Sequence, residues 1–290
     1  MQIAVLADIH GNLQALQAVL DDLAKVAPDS VIVAGDFQNR GPQSREVTDL
    51  LFARGWPLLR GNHEDYVLRQ SEGFEVADVA DYYSWLPARW TAGVTRDWLA
   101  LIRDLPIALT LTGPDGRDVL IAHGSPRSNA ETVFPSTSEA ATRNMLGAVS
   151  PAVFCCGHSH LPLQRQVGST LVFNVGSVGF PFDGDQRAAY GLLTFQHKQW
   201  RGELRRVPYP VADVFTVFAK TNFYENVGPL AHIIRRELES ARPHMTAFYH
   251  FFGPLLRTGE LSIFAAVETY LSMSQAVIEE QYQALRRRRA

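Results

Sequence analysis

Residues 30–42 read SVIVAGDFQNRGP, and the organisation of the chain follows from the first seven of them. Ser30 to Ala34 is an apolar run of strand length that stops at Gly35-Asp36. A carboxylate ending a buried strand is poorly solvated and can only accept hydrogen bonds, so it needs positive charge close by. One carboxylate bridging two metal ions satisfies that need. Upstream, Gln2 to Ala7 is a second short apolar run, ending at Asp8-Ile9-His10. Between the two, Leu13, Leu16, Leu20 and Leu23 recur at helical spacing behind Asn12, a suitable N-cap. Strand, helix, strand in this order predicts a parallel pair, and parallel sheets present ligands from their carboxyl ends. Asp8, His10 and Asp36 are therefore expected on one rim.

Three further motifs close apolar runs: Gly61-Asn62-His63-Glu64, expected as a third rim loop, after the strand Trp56 to Arg60, His123-Gly124 after Asp118 to Ala122, and Gly157-His158-Ser159-His160 after Ala152 to Cys156. Taken singly, a histidine or aspartate beside a turn is usually a satisfied structural residue. Five such segments, each at a predicted strand end, need another explanation. In that order DIH (8–10), GD (35–36), GNHE (61–64), the His123 of IAHGSP and GHSH (157–160) resemble the calcineurin-like metallophosphoesterases. The nearest patterns are those of the small bacterial and archaeal phosphodiesterases and the diadenosine tetraphosphatase-like branch, and the resemblance covers about residues 1–207.

The resemblance implies one metal held by Asp8, His10, Asp36 and His160, and a second held by Asp36, Asn62, His123 and His158. Mixed nitrogen and oxygen donors suit manganese first, with iron or zinc as alternatives, better than magnesium or calcium. No cysteine lies on the rim, which argues against a structural zinc site. The resemblance also makes His63 the catalytic histidine, beside the phosphate rather than on a metal; a charged ring there needs an acidic neighbour, and Glu64 and Asp65 are adjacent in sequence, which leaves open the side chain that reaches the ring. In GDFQNRGP, Asn39 stands where the phosphatase branches carry an aspartate, while Arg40 matches their phosphate-binding arginine. The rival reading of Arg40 is an ion pair with a surface carboxylate. Gly41-Pro42 and the segment NVGSVGFPFDGD (174–185) follow the phosphodiesterase pattern, with Val175 in place of its proline. Arg127, in HGSPRSN, is a second phosphate-binding candidate.

The remaining chain sorts into three stretches. Residues 65–105 carry Tyr82, Tyr83, Trp85 and Trp90, with a helix near Thr95 to Arg103, and read as an aromatic insertion that either covers the site or packs on the core. Ile107 to Thr112, a Gly-Pro-Asp-Gly turn and Asp118 to Ala122 form a hairpin. Thr170 to Val175, Ala189 to Phe195 and Trp200 to Val207 continue the strand pattern. The predicted fold is α/β, a four-layer αββα sandwich of two mixed sheets flanked by helices. From Pro208 the texture changes to aromatic helices separated at Gly228-Pro229, Pro243 and Gly253-Pro254. Residues 1–207 are thus expected to form the phosphoesterase domain and 208–290 a helical extension. That extension serves as a further layer on the core, a cap over the substrate or a homo-oligomer interface. His197, His232, His244 and His250 fall outside the motifs and are read as structural or exposed, and the arginines at 286–289 as a solvated end.

Bulk properties exclude several classes. A net charge of −3 and a pI near 6.3 give nucleic acid no electrostatic footprint. Residues 1–7 are too short for a membrane span and lack a basic leader, so the mature chain is expected to start at Met1 in the cytoplasm. The two adjacent cysteines, Cys155 and Cys156, cannot build a disulfide framework. The leading expectation is a dinuclear phosphoesterase that hydrolyses a small phosphodiester or nucleotide by in-line attack of a metal-bridging hydroxide. A phosphomonoesterase or dinucleoside polyphosphatase is the alternative within the class. A metal-binding scaffold acting through its C-terminal helices is the alternative outside it, and a nuclease a further one.

Overall fold

The computed structural model of the chain describes residues 1–76 and 79–281. The arginines at 286–289 lie outside the described residues. Among the described residues nine strands form two sheets: β1 (Gln2–Leu6), β2 (Ser30–Val33), β3 (Ala108–Thr112), β4 (Asp118–Ala122), β5 (Val153–Cys156), β6 (Leu163–Val167), β7 (Thr170–Asn174), β8 (Ala188–Gln196) and β9 (Gln199–Val207). One sheet has the order β2-β1-β8-β9 and the other β3-β4-β5-β7-β6. Both are mixed: β1 runs parallel to β2 and antiparallel to β8, while β5 runs parallel to β4 and β7 inside antiparallel edges.

Two-residue periodicity explains the layering. On β1, Ile3 and Val5 face the second sheet and pack with Val119, Ile121, Val153, Cys155 and Phe173. Ala4 and Leu6 face the other way, onto Leu16, Val19 and Leu23 of α1 (Leu13–Val26) and Val47 and Leu51 of α2 (Ser44–Arg54). The outer face of the second sheet carries Leu120, Phe154 and Val172 against Leu146 of α6 (Glu139–Leu146). Helix, sheet, sheet and helix therefore stack as expected. Asn12 caps α1 as its sequence indicated, its side chain accepting from the Ala15 N–H.

Three sequence expectations need correction. Trp56 to Arg60 is not a full strand but a single bridge, Leu58 beside Val33. Pro57 has no N–H to extend the ladder, and the Arg60 N–H turns away to the Pro106 carbonyl. Asn62 to Glu64 do not stay in a loop but open α3 (Asn62–Ser71). Gly253-Pro254 does not separate helices, since α10 (His244–Thr258) runs through it. There Phe248, Leu256 and their neighbours in the apolar cluster override the proline penalty. Helix α6 and the polar edge strand β6 were not foreseen.

The insertion comprises α3, α4 (Val79–Val94), a short 3₁₀ turn (Arg96–Trp98) and α5 (Leu99–Arg103). The C-terminal helices are α7 (Val211–Lys220), α8 (Phe223–Val227), α9 (Leu230–Ser240), α10 and α11 (Ile263–Ser272). Helices α7 to α9 pack Val214, Phe218, Phe223 and Ile234 around Phe180, a residue of the loop that follows β7. Insertion and tail also touch, as Tyr83 of α4 joins the cluster of α9 to α11. Among the described residues no helix is long and apolar enough to cross a membrane.

Candidate metal centre

Every motif residue emerges where a strand or bridge ends on the same rim. Asp8 and His10 follow β1, Asp36 follows β2, Asn62 and His63 follow the Leu58 bridge, His123 follows β4, and His158 and His160 follow β5. The backbone there is held in an unusual shape. Asp8, His10, Asp36, Asn39, Arg40, His158 and His160 all have φ between 50° and 71°, a left-handed conformation that costs non-glycine residues energy. Such strain persists only where packing enforces it. The enforcement is visible at Gly61, where an added Cβ would lie 2.1 Å from Asp36 Oδ1, and at Gly179, where it would lie 1.9 Å from the Ile9 carbonyl oxygen.

The structure brings all seven candidate ligands together. Asp8, His10 and His160 form one compact donor group, and Asp36, His123 and His158 another. Asp36 Oδ2 lies 3.2 Å from His123 Nε2 and 3.7 Å from His10 Nε2, so it stands between the groups. Asn62 Oδ1 joins the second group, 3.0 Å from His123 Nε2. His123 Nδ1 donates to the Ala34 carbonyl and His160 Nδ1 to the Phe180 carbonyl, which turns both Nε2 atoms toward the rim, where a cation could replace the proton that His123 carries. His10 Nε2 and His160 Nε2 are 3.1 Å apart, and His123 Nε2 and His158 Nδ1 3.2 Å apart. Asp8 Oδ1 is fully buried without a hydrogen bond. Convergent ring nitrogens and an orphaned buried carboxylate oxygen are what a pair of cations would satisfy, so the donor set fits divalent metals.

The electrostatics agree. Burial lowers His63 and His158 to about 4 and holds His10 well below its ordinary range. Burial also works against charge on His123, but Asp36 and Asp8 outweigh it and push that ring up to about 10. Burial opposes the charge on Asp36 as well, yet His123, His63 and His10 hold its carboxyl well below the usual range. Glu64 is pushed up to about 8 by burial and by Asp36. Cation binding would supply the positive charge that His123 otherwise carries opposite Asp36.

His63 lies against the donors, in a third compact group with His10 and Asp36 and edge to face with the His10 ring at 4.6 Å between centroids, and it makes further contacts of its own. Its Nδ1 lies 3.0 Å from Asn39 Nδ2, and its ring meets Tyr66 with centroids 5.2 Å apart. Neither of the two acids adjacent in sequence is bonded to its ring. Glu64 instead accepts the backbone N–H groups of Asp36, Gln38 and Gly61, and Asp65 bonds Asn129 and Arg60. Arg40 is at the site but paired: its guanidinium grips Glu237 of α9 and lies over the rings of Phe180 and Phe182. Arg127 is exposed and bound to Glu131 and Asn144, a geometry that gives the phosphate role no support.

A family model, the calcineurin-like phosphoesterase superfamily domain, matches residues 1–198. The chain belongs to the calcineurin-like phosphoesterase superfamily. As a member of it, the chain is a phosphoester hydrolase. Among its relatives is an uncharacterized protein of Methanocaldococcus jannaschii, 28% identical over 244 residues, a match spanning 78% of this chain and 95% of the relative. That share is larger than residues 1–207 make up, so the likeness runs into the C-terminal helices. Another is the Escherichia coli phosphodiesterase YfcE, 24% identical over 67% of this chain and 87% of that protein. The crystal structure of a metallophosphoesterase from Sphaerobacter thermophilus superposes with a TM-score of 0.65 at 24% identity, covering 83% of this chain and 99% of that one, and shares the fold.

Sequence reasoning missed Glu237 and the cavity beside His63. Asn39 was noted as a departure from the motif, but its bond to His63 was not foreseen. The one available signal was that Asn39 stands where an aspartate would support His63.

Proposed function

We propose that the chain is a dinuclear phosphoesterase acting on a small phosphodiester. The observation that carries this reading is the pair of donor groups with Asp36 between them. Asp8, His10, Asp36 and His160 would hold one divalent ion, and Asp36, Asn62, His123 and His158 the other, with manganese the first choice and iron or zinc next. When bound, the ions supply an acidified water at neutral pH and positive charge for the phosphoryl oxygens. In the net reaction a water oxygen bonds to phosphorus in line with the ester bond. The P–O bond breaks, and the organic oxygen leaves with the electron pair and takes up a proton.

The residues around that centre divide the remaining work. His63, beside the donors but bonded to Asn39, is the catalytic group that stabilises the departing oxygen through Nε2. Arg40 steadies a phosphoryl oxygen with the part of its guanidinium that Glu237 leaves free. Because Glu237 offsets much of Arg40's charge and Arg127 is spent on Glu131, a singly charged diester suits the site better than a doubly charged monoester. Cys155 and Cys156, buried as free thiols, support a reducing compartment such as the cytoplasm.

The test is initial rates on matched aryl phosphate diester and monoester, using protein stripped of metal and reloaded with Mn²⁺, with His63→Ala alongside. Faster diester hydrolysis that falls about 10²-fold or more in the variant is expected. Faster monoester hydrolysis would move the assignment to the phosphatase branch.

A further inference from the structure

A cavity of ≈ 310 Å³ opens directly beside His63. Its polar end is made by Asn39, Arg40 and His63. Ser84 apart, the rest is apolar or aromatic and comes from two separate parts of the chain: Tyr66, Trp85, Pro87 and Ala88 from the insertion, Ile234 and Met245 from the C-terminal helices. The rings form a continuous wall, because His63 meets Tyr66 at a tilt of 57° and Tyr66 meets Trp85 edge to face with centroids 5.4 Å apart. Helices α9 and α10 close the far side.

We propose that this cavity seats the departing organic group of the substrate and selects an aromatic ring within a bond or two of the ester oxygen. The inference rests on the phosphodiester reading above and adds the substrate's chemical class to it. Three properties of the cavity carry it. Its volume is at the lower end for ligand pockets, so it takes one ring with substituents and excludes a peptide or a nucleic-acid strand. Its walls are flat and aromatic, which favours offset or edge-to-face contact with another ring. Its polar end includes His63, the residue that would meet the departing oxygen, so a group bound there is the one that leaves.

Binding of two singly charged diester analogues, methyl phenylphosphonate and methyl methylphosphonate, to Mn²⁺-loaded protein tests the proposal by titration calorimetry. The wild type is expected to prefer the phenyl compound on the order of tenfold or more, from the apolar area the ring buries. Ile234→Trp, which fills the cavity, and Trp85→Ala, which removes its wall, should each bring the ratio close to one, chiefly by loss of affinity for the phenyl compound. The second substitution covers failure of the first to fold. A ratio near one in the wild type, or a ratio that neither variant moves, overturns the proposal while the phosphodiester reading stands. If neither analogue binds the loaded wild type, the phosphodiester reading falls and the inference falls with it.

Discussion

The amide of Asn39 is oriented by the Arg40 N–H on Oδ1, which turns Nδ2 toward His63 Nδ1. An imidazolium would place a second N–H against that amide, so the arrangement favours neutral His63, in line with the lowering by burial to about 4. Asn39→Asp would replace the opposing donor with a carboxylate and favour the protonated ring, while still accepting from Arg40. The expected outcome is a rise of roughly tenfold in kcat/KM for alkyl diesters relative to p-nitrophenyl diesters, because protonation matters most for poor leaving groups. An unchanged ratio would mean that His63 does not act on the departing oxygen. At this scale the sequence made the rim donors legible, since each stands immediately after an apolar run. Their partners were not legible. Glu237 is 197 residues from Arg40, and no local pattern links the two. Arg127 and Glu131, by contrast, sit four apart and could have been read as a pair.

Helix α9 reaches the site through one side chain. Glu237 is completely buried, binds Arg40 through one carboxylate oxygen and accepts the Met245 N–H at the start of α10 through the other. It therefore fixes the cation at the cavity mouth and the junction of two C-terminal helices together. Removing one partner of a buried pair costs about 3–5 kcal/mol. Glu237→Ala should thus lower thermal stability clearly and raise KM for diesters more than it lowers kcat, since Arg40 loses its position but the metal donors keep theirs. Glu237→Gln, whose single amide oxygen can accept from only one of the two donors, should recover only part of each effect. A variant with normal KM and reduced stability would confine Glu237 to a structural role. Among elements, the strands and α1 were legible because their apolar spacing is regular and both faces of each central strand are buried. Strand β6 was not, because as an edge strand it alternates partly exposed side chains with exposed ones, and Trp56 to Arg60 misled because its apolar content belongs to a single bridge. The helical path through Gly253-Pro254 depends on an apolar cluster that no window of local sequence contains.

The change of texture at Pro208 invites a division into a catalytic domain and an appendage, but the packing runs across it. Phe180, whose carbonyl orients His160, is buried among Val214, Phe218, Phe223 and Ile234 of the C-terminal helices. Arg40 is joined to Glu237, and Tyr83 of the insertion enters the cluster of α9 to α11. A tail that shares core residues with the loop beneath the metal donors cannot unfold without exposing that loop. The chain should accordingly unfold in one cooperative calorimetric transition, with an enthalpy near 60 °C of roughly 200 kcal/mol from about 0.7 kcal/mol per residue. Calorimetric and van't Hoff enthalpies should agree. Mn²⁺ should raise the whole transition rather than split it, because ions bound only by the native rim stabilise everything that unfolds with it. Two transitions, with only one of them moved by Mn²⁺, would show that the C-terminal helices fold apart from the site. In that case a cavity shared between them and His63 could not hold a substrate in fixed register with the metal donors.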